Sequence, residues 1–359
     1  MSVDCASCKS FICDTGRTDS PTENCPMHGD FPAFEDLYQD KEQRENAYHA
    51  AVVEAEGYCE WTRVRELAEF AKKLGIQRVG IGHCVDMQRE ADLTARYLET
   101  HSLEALLPPM PPECDPIGQA EFFAENGIKL NAICGMSVDH EAIFIAASEK
   151  PVVVLVARDV RLRHNPVAAL YTSAGYSRTR LFGDRDTAVW EPFQGLGMET
   201  LVRASEALAA EGPHDLNRVQ EVLRYARRLG IKRLGISFCV GFKQEARLLA
   251  GVLKGNGFEV SSAGCKVGAV PKEKLGIVES EKVHPGDPEM ICNPLAQAEL
   301  LNRDGVQLSL ILGQCIGHEA ATLGALKMPA VCIVAKDRVL AHNPVAALYE
   351  FEGSGPTAT

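Results

Sequence analysis

The chain contains its own sequence twice. The segment from Arg63, RVRELAEFAKKLGIQRVGIGHCVDMQREADLTARYL, matches the segment from Arg218, RVQEVLRYARRLGIKRLGISFCVGFKQEARLLAGVL, at nearly half its positions and without a gap. A second block pairs CDPIGQAEFFAENGIKLNAICGMSVDHEA from Cys114 with CNPLAQAELLNRDGVQLSLILGQCIGHEA from Cys292, and both copies finish in HNPVAALY. Solenoid repeats run about 20 to 50 residues, so a period this long means a duplicated domain. The offset between copies grows from the first block to the second. Copy two therefore carries an insertion, and Cys265 and Lys266 lie in it.

Within each copy, helical and strand patterns alternate. Glu66 to Leu74 and Glu221 to Leu229 place apolar residues at helical spacing and run into Gly75 and Gly230, as helix C-termini do. Short β-branched or Leu-rich runs follow: VGIG from Val79, LGIS from Leu234, FEVSSAG from Phe258, LSLILG from Leu308, AVCIVA from Ala330 and PVVVLVA from Pro151. These read as strands buried on both faces; alternating with helices such as PLAQAELLNRDG, they predict βαβ units and parallel sheets. The expected fold class is α/β: two tandem copies of a parallel-sheet three-layer domain, preceded by a small Cys-rich metal-binding head. The boundaries are 1–58 for the head and a mostly exposed helical arm, 59–175 for repeat 1, 176–212 for a linker and 213–359 for repeat 2.

Composition narrows the partners. The 359 residues are 46% hydrophobic and 24% charged, enough apolar material for two such cores. A net charge of −12 leaves no basic field for a phosphate backbone or an anionic bilayer, so nucleic acid and membrane are not expected partners. The N-terminus lacks an apolar export region. Thirteen cysteines are an odd number spread thinly over the chain, which favours ligand or reactive thiols in the cytoplasm over structural disulfides.

Two cysteine constellations carry chemistry. Cys5, Cys8, Cys13 and Cys25, followed by Pro26, Met27 and His28, crowd a stretch too polar to hold a core, so a metal is expected to give it structure. The spacing suits tetrahedral zinc and iron–sulfur alike. In copy two, Cys239, Cys265 and Cys315 fall just beyond the carboxyl ends of predicted strands, the edge where open α/β sheets bind ligands. Cys292 precedes a helix with Asn293 as N-cap and Pro294 in its first turn. Lys266, His318, Glu245, Lys336 and Asp337 join the same edge; Lys266, Glu245 and His318 are the candidate proton-moving groups. Cys134, Cys332 and Cys59 read as core thiols. Copy one keeps Cys84 and Cys114 but has Ser137 in place of Cys315. His83, Cys84, Cys114 and His140 remain an alternative metal set, yet a degenerate copy kept as scaffold or pseudo-dimer partner is the expectation.

The head cysteines, GYCEWTRVRELAEFAKKLG and copy two's CVGFKQEA, GCKVGAVPKEKLG, CNPLAQAELLN, GQCIGHEA and KDRVLAHNPVAALY resemble a cysteine-rich family of uncharacterised metal-binding proteins, a domain of unknown function found in archaea and anaerobic bacteria. That family's pattern is a head and one repeat, and this chain departs by carrying two. The resemblance implies metal binding by Cys5, Cys8, Cys13 and Cys25, and by Cys239, Cys265, Cys292 and Cys315; it implies no reaction. Because such families are rich in anaerobes, iron–sulfur, of the four-iron four-sulfide type at one or both sites, is expected ahead of zinc, with zinc the alternative at the N-terminal site. The expected role is redox or cluster-based catalysis on a small substrate, with a redox partner. The rivals are a non-enzymatic zinc protein that binds a partner and a thiol-based sulfur or metal carrier.

Overall fold

The computed structural model of the chain describes residues 2–19, 22–28, 31–109, 114–159 and 216–354. The expected linker at 176–212, the end of repeat 1 and the first HNPVAALY lie outside the described residues. Helices α1 (Phe34–Leu37) and α2 (Lys41–Glu56) precede copy one, which has α3 (Arg63–Lys73), α4 (Gln88–Thr100), α5 (Pro116–Glu125) and α6 (Val138–Ala147). Copy two has α7 (Arg218–Arg228), α8 (Lys243–Gly255), α9 (Pro294–Arg303), α10 (Ile316–Ala325) and α11 (Val345–Ser354). Strands β1 (Arg78–Gly82), β2 (Glu104–Leu106), β3 (Asn131–Cys134) and β4 (Val152–Val156) form one sheet in the order β2-β1-β3-β4. Strands β5 (Arg233–Phe238), β6 (Glu259–Gly264), β7 (Leu308–Leu312) and β8 (Ala330–Val334) form the second as β6-β5-β7-β8. Every pairing is parallel. The duplication is therefore two α/β units with flanking helices.

Local chemistry sets the element ends. Asn217 and Gln220 form a reciprocal capping box at the start of α7, and Asn293 and Asp115 accept from Ala296 N and Gly118 N at the starts of α9 and α5. Gly75 and Gly230 stop α3 and α7 at φ +66° and +63°, a conformation that costs any residue with a Cβ. The central strands are buried along their length, which is why they read as continuous apolar runs. Among the described residues no helix is long and apolar enough to cross a membrane.

The copies meet along β4 and β8, strands at the edges of their sheets, and each copy satisfies the other's open edge. Glu319 of α10 accepts from Val154 N of β4, and Glu141 of α6 accepts from Cys332 N of β8. Each carboxylate pairs with a wholly buried arginine: Glu319 with Arg63 at 3.0 Å, Glu141 with Arg218 at 2.6 Å. The arginines also donate to strand carbonyls, Arg63 to Val154 O and Arg218 to Cys332 O. Asp337 accepts from Arg63 N and Asp159 from Arg218 N, so each copy caps the first helix of the other.

The helical arm is not mostly exposed, as its polar sequence suggested. Helix α2 buries Ala47, Ala50, Ala51, Val52, Val53 and Glu54 and packs against α10 and α3. Gly317 of α10 leaves room for Ala50: a Cβ there would come within 2.5 Å of the Ala50 Cβ.

Glu221 of α7 is half-buried, with one carboxyl oxygen shut away from solvent and lacking a hydrogen-bond partner, and burial, opposed by Arg218 and Arg158, pushes its carboxyl up to about 7. A carboxyl raised in the fold holds its proton more tightly there than in the unfolded chain, so stability falls as pH rises from 4.5 through about 7. Glu221→Gln is expected to leave the urea midpoint unchanged near about pH 5 and to stabilise near about pH 8 by on the order of 1–3 kcal/mol. Equal midpoints at the higher pH would contradict this.

Candidate metal centre

The head joins copy two as an added strand. Asp4 bridges Ser262 in parallel, Cys5 N donates to Ser262 O, and Ser262 N donates to Val3 O, extending the sheet beyond β6. Lys254 anchors Asp4 at 3.0 Å, and Phe11 meets Phe238 edge to face. This docking gathers Cys5, Cys8, Cys13 and Cys25 around one cavity of about 30 Å³, closed by Gly264 and Val267 of copy two. Burial pushes Cys5 up, and pushes Cys13 up to about 11. Cys8 ends at about 7: burial raises it, but donors from Thr22, Phe11 N and Ser10 outweigh that. The four thiols expected at the head are thus brought together.

The strand-tip edge of copy two gathers the other set. Cys239 follows β5, Cys265 follows β6, Cys292 precedes α9 and Cys315 caps α10; all four are buried. Cys265 and Cys292 stand 3.8 Å apart at sulfur, and Val240 N donates to Cys265 Sγ. Beneath them Gln297 donates to Phe238 O and Ala263 O, tying the tips of β5 and β6. Asn293 N donates to Cys265 O, closing the insertion into a loop that returns to the same edge.

Cations and one carboxylate surround these sulfurs. Lys336 Nζ donates to Cys239 Sγ at 3.1 Å and lies 3.7 Å from Cys315 Sγ. Arg338 donates to Cys315 Sγ at 2.9 Å and to Glu54 Oε1 at 2.6 Å. Glu54, reaching in from α2, lies 3.4 Å from Cys315 Sγ and 3.9 Å from Cys292 Sγ. Burial works to raise the Glu54 carboxyl, but Arg338, His318, Lys336 and Lys266 hold it well below the usual carboxylate range. The hydrogen bond from Cys265 and the charge of Lys336 pull the Cys239 thiol well below its usual range against burial, while burial pushes Cys315 up.

The proton-moving candidates divide. His318 lies in the set: a His318 nitrogen, Glu54 and Cys292 offer donor atoms all within 4.8 Å of one another. Burial pushes its imidazole down to about 4, so it is neutral, and its Nδ1 is buried with no hydrogen-bond partner. Lys266 donates to Met290 O at 2.6 Å, its charge favoured by Cys292, Cys265 and Glu54. Glu245 is half-buried in the first turn of α8, and its charge acts on His342. Cys134 and Cys332 are core thiols in β3 and β8 as expected, but Cys59 is exposed, in a turn with φ +59°.

In copy one, Cys84 Sγ lies 3.3 Å from His140 Nδ1, and Cys114 completes a group of three donors within 4.8 Å. His83 turns away, its ring against Ile81 O and Gln88. The described residues therefore hold thiol and imidazole clusters compatible with metal binding. A groove of about 1100 Å³ contains none of them; it opens at the amino ends of β4 and β8, beside Pro151 and Pro329, the end of the sheets opposite the thiols.

A family model described as "Protein of unknown function (DUF1847)" matches residues 25–107, 108–155 and 183–333. The uncharacterized protein MJ0455 of Methanocaldococcus jannaschii is 39% identical over 132 residues, covering 37% of this chain and 66% of that protein, just under two thirds of its length. The crystal structure of PH1733, an aspartate racemase homologue from Pyrococcus horikoshii, aligns over 77% of this chain and 100% of its own, with a TM-score of 0.20 and 13% identity.

Proposed function

The chain belongs to the DUF1847 family of proteins of unknown function, and from that premise we propose that it is an iron–sulfur protein with two linked four-thiolate sites, working in one-electron transfer to a small substrate. One observation carries this reading: the two thiol sets share a wall. The Gly264 backbone hydrogen-bonds the Cys5 side chain, a Cβ on Gly264 would lie 3.8 Å from Cys5 Cβ, and the next residue is Cys265. The donor chemistry fits, since both sets offer four sulfurs and a four-iron cluster takes four cysteines. An iron–sulfur group, when bound, supplies one-electron transfer. The head set, on the outer side of the β6 edge, would meet a redox partner, and the buried set the substrate.

The chain's own residues tune that chemistry. Lys336 and Arg338 set positive charge against Cys239 and Cys315, which offsets buried thiolate charge and favours the reduced state. His318, neutral and without a partner at Nδ1, holds a place for a proton beside the set. A second reading has its own support: the 3.8 Å between Cys265 and Cys292 equals the edge of a sulfur tetrahedron around one ion with bonds of about 2.3 Å, which suits zinc.

The relay is tested by anaerobic stopped-flow reduction with a small donor protein. Cys8→Ser with Cys25→Ser is expected to leave the buried set's spectrum in place and to slow its reduction at least about tenfold, since roughly 1.4 kcal/mol of added barrier suffices for that factor. An unchanged rate would remove the relay from the account.

A further inference from the structure

The duplication gives copy one a donor set of different composition from copy two's. Cys84, Cys114 and His140 occupy the positions of Cys239, Cys292 and His318, but Ser137 stands where copy two has Cys315, and the insertion that supplies Cys265 is missing. The three donors are already assembled. Cys84 Sγ is 3.3 Å from His140 Nδ1, all three donor atoms lie within 4.8 Å of one another, and Cys84 is buried while Cys114 is half-buried. Val85 N donates to Cys114 Sγ, and Asp139 lies 3.9 Å from the other ring nitrogen of His140. At that distance the carboxylate adds negative charge beside the imidazole.

We infer that Cys84, Cys114 and His140 bind one divalent ion of the zinc class, with its fourth position left open to a small exogenous ligand. Two thiolates and an imidazole are the borderline-soft donors that zinc takes, and three protein ligands with one open position distinguish a reactive zinc site from a structural one. Positive charge lies close to the three donors: Arg158, ion-paired with Asp86 at 2.6 Å, acts electrostatically on both Cys84 and His140. A small anion is therefore the ligand class the open position admits. The inference stands apart from the iron–sulfur proposal, since it shares no residue with either four-thiol set.

The test is cobalt(II) bound to the reduced full-length protein, read by thiolate-to-cobalt charge transfer and by the visible bands of tetrahedral cobalt. Cys114→Ser and His140→Gly are each expected to bind one equivalent fewer than the parent chain, with iron and sulfide content unchanged. Imidazole added to His140→Gly is expected to restore that equivalent, which separates a lost ligand from a lost fold. Azide is expected to shift the visible bands of the parent chain and not those of Cys114→Ser. Equal cobalt uptake by parent and variants would overturn the site; azide-insensitive bands would overturn its open position.

Discussion

Arg63→Met is expected to destabilise the protein by about 3–5 kcal/mol, the usual result of removing one partner from a wholly buried ion pair. The substitution leaves Glu319 buried without its counter-charge and strips the donor from Val154 O and Gln314 O at once. Glu319 also holds Val154 N, so the open edge of β4 loses its neighbour. Adding Glu319→Leu removes the stranded carboxyl and is expected to recover part of the loss, leaving the cost of an uncovered strand. Urea unfolding followed by far-ultraviolet circular dichroism reads both variants. A single-variant loss below about 1 kcal/mol would mean that the Arg63–Glu319 pair contributes little to holding the copies together.

The second large effect concerns metal content. Cys292→Ser with Cys315→Ser removes two of the four sulfurs at the strand-tip edge and leaves the head cysteines untouched. Iron and sulfide per chain are expected to fall by about half, with the remainder held by Cys5, Cys8, Cys13 and Cys25. Folding should survive, because both cysteines sit at strand and helix ends rather than in the strand cores. Unchanged metal and sulfide in a folded variant would place the buried centre elsewhere.

Much of this architecture is legible in the sequence because the chain is its own comparison. The matched runs gave the strands, and gaps in the match located the insertion that carries Cys265. The arm was misread because its buried face is alanine: Ala47, Ala50, Ala51 and Glu54 repeat at helical spacing, but alanine contributes too little hydropathy to mark a buried face. Glu54 went unseen with it. Arg338 escaped because its partners, Glu54, Glu66 and Cys315, are remote in sequence. The signal for the crossed Arg–Glu pairs was present, since Arg63 and Arg218, Glu141 and Glu319, and Asp159 and Asp337 all recur between the copies. Nothing in a linear pattern says that such residues pair with the other copy rather than with their own.

The central claim is tested most directly by an ultraviolet-visible spectrum, with iron, sulfide and zinc analysis, on protein purified without oxygen. The account predicts broad absorbance near about 400 nm, with about eight iron and eight sulfide per chain for two four-iron clusters. About one zinc is expected beside them, at Cys84, Cys114 and His140. A colourless protein with zinc alone and no sulfide would contradict the electron-transfer reading and leave the thiol sets as zinc sites.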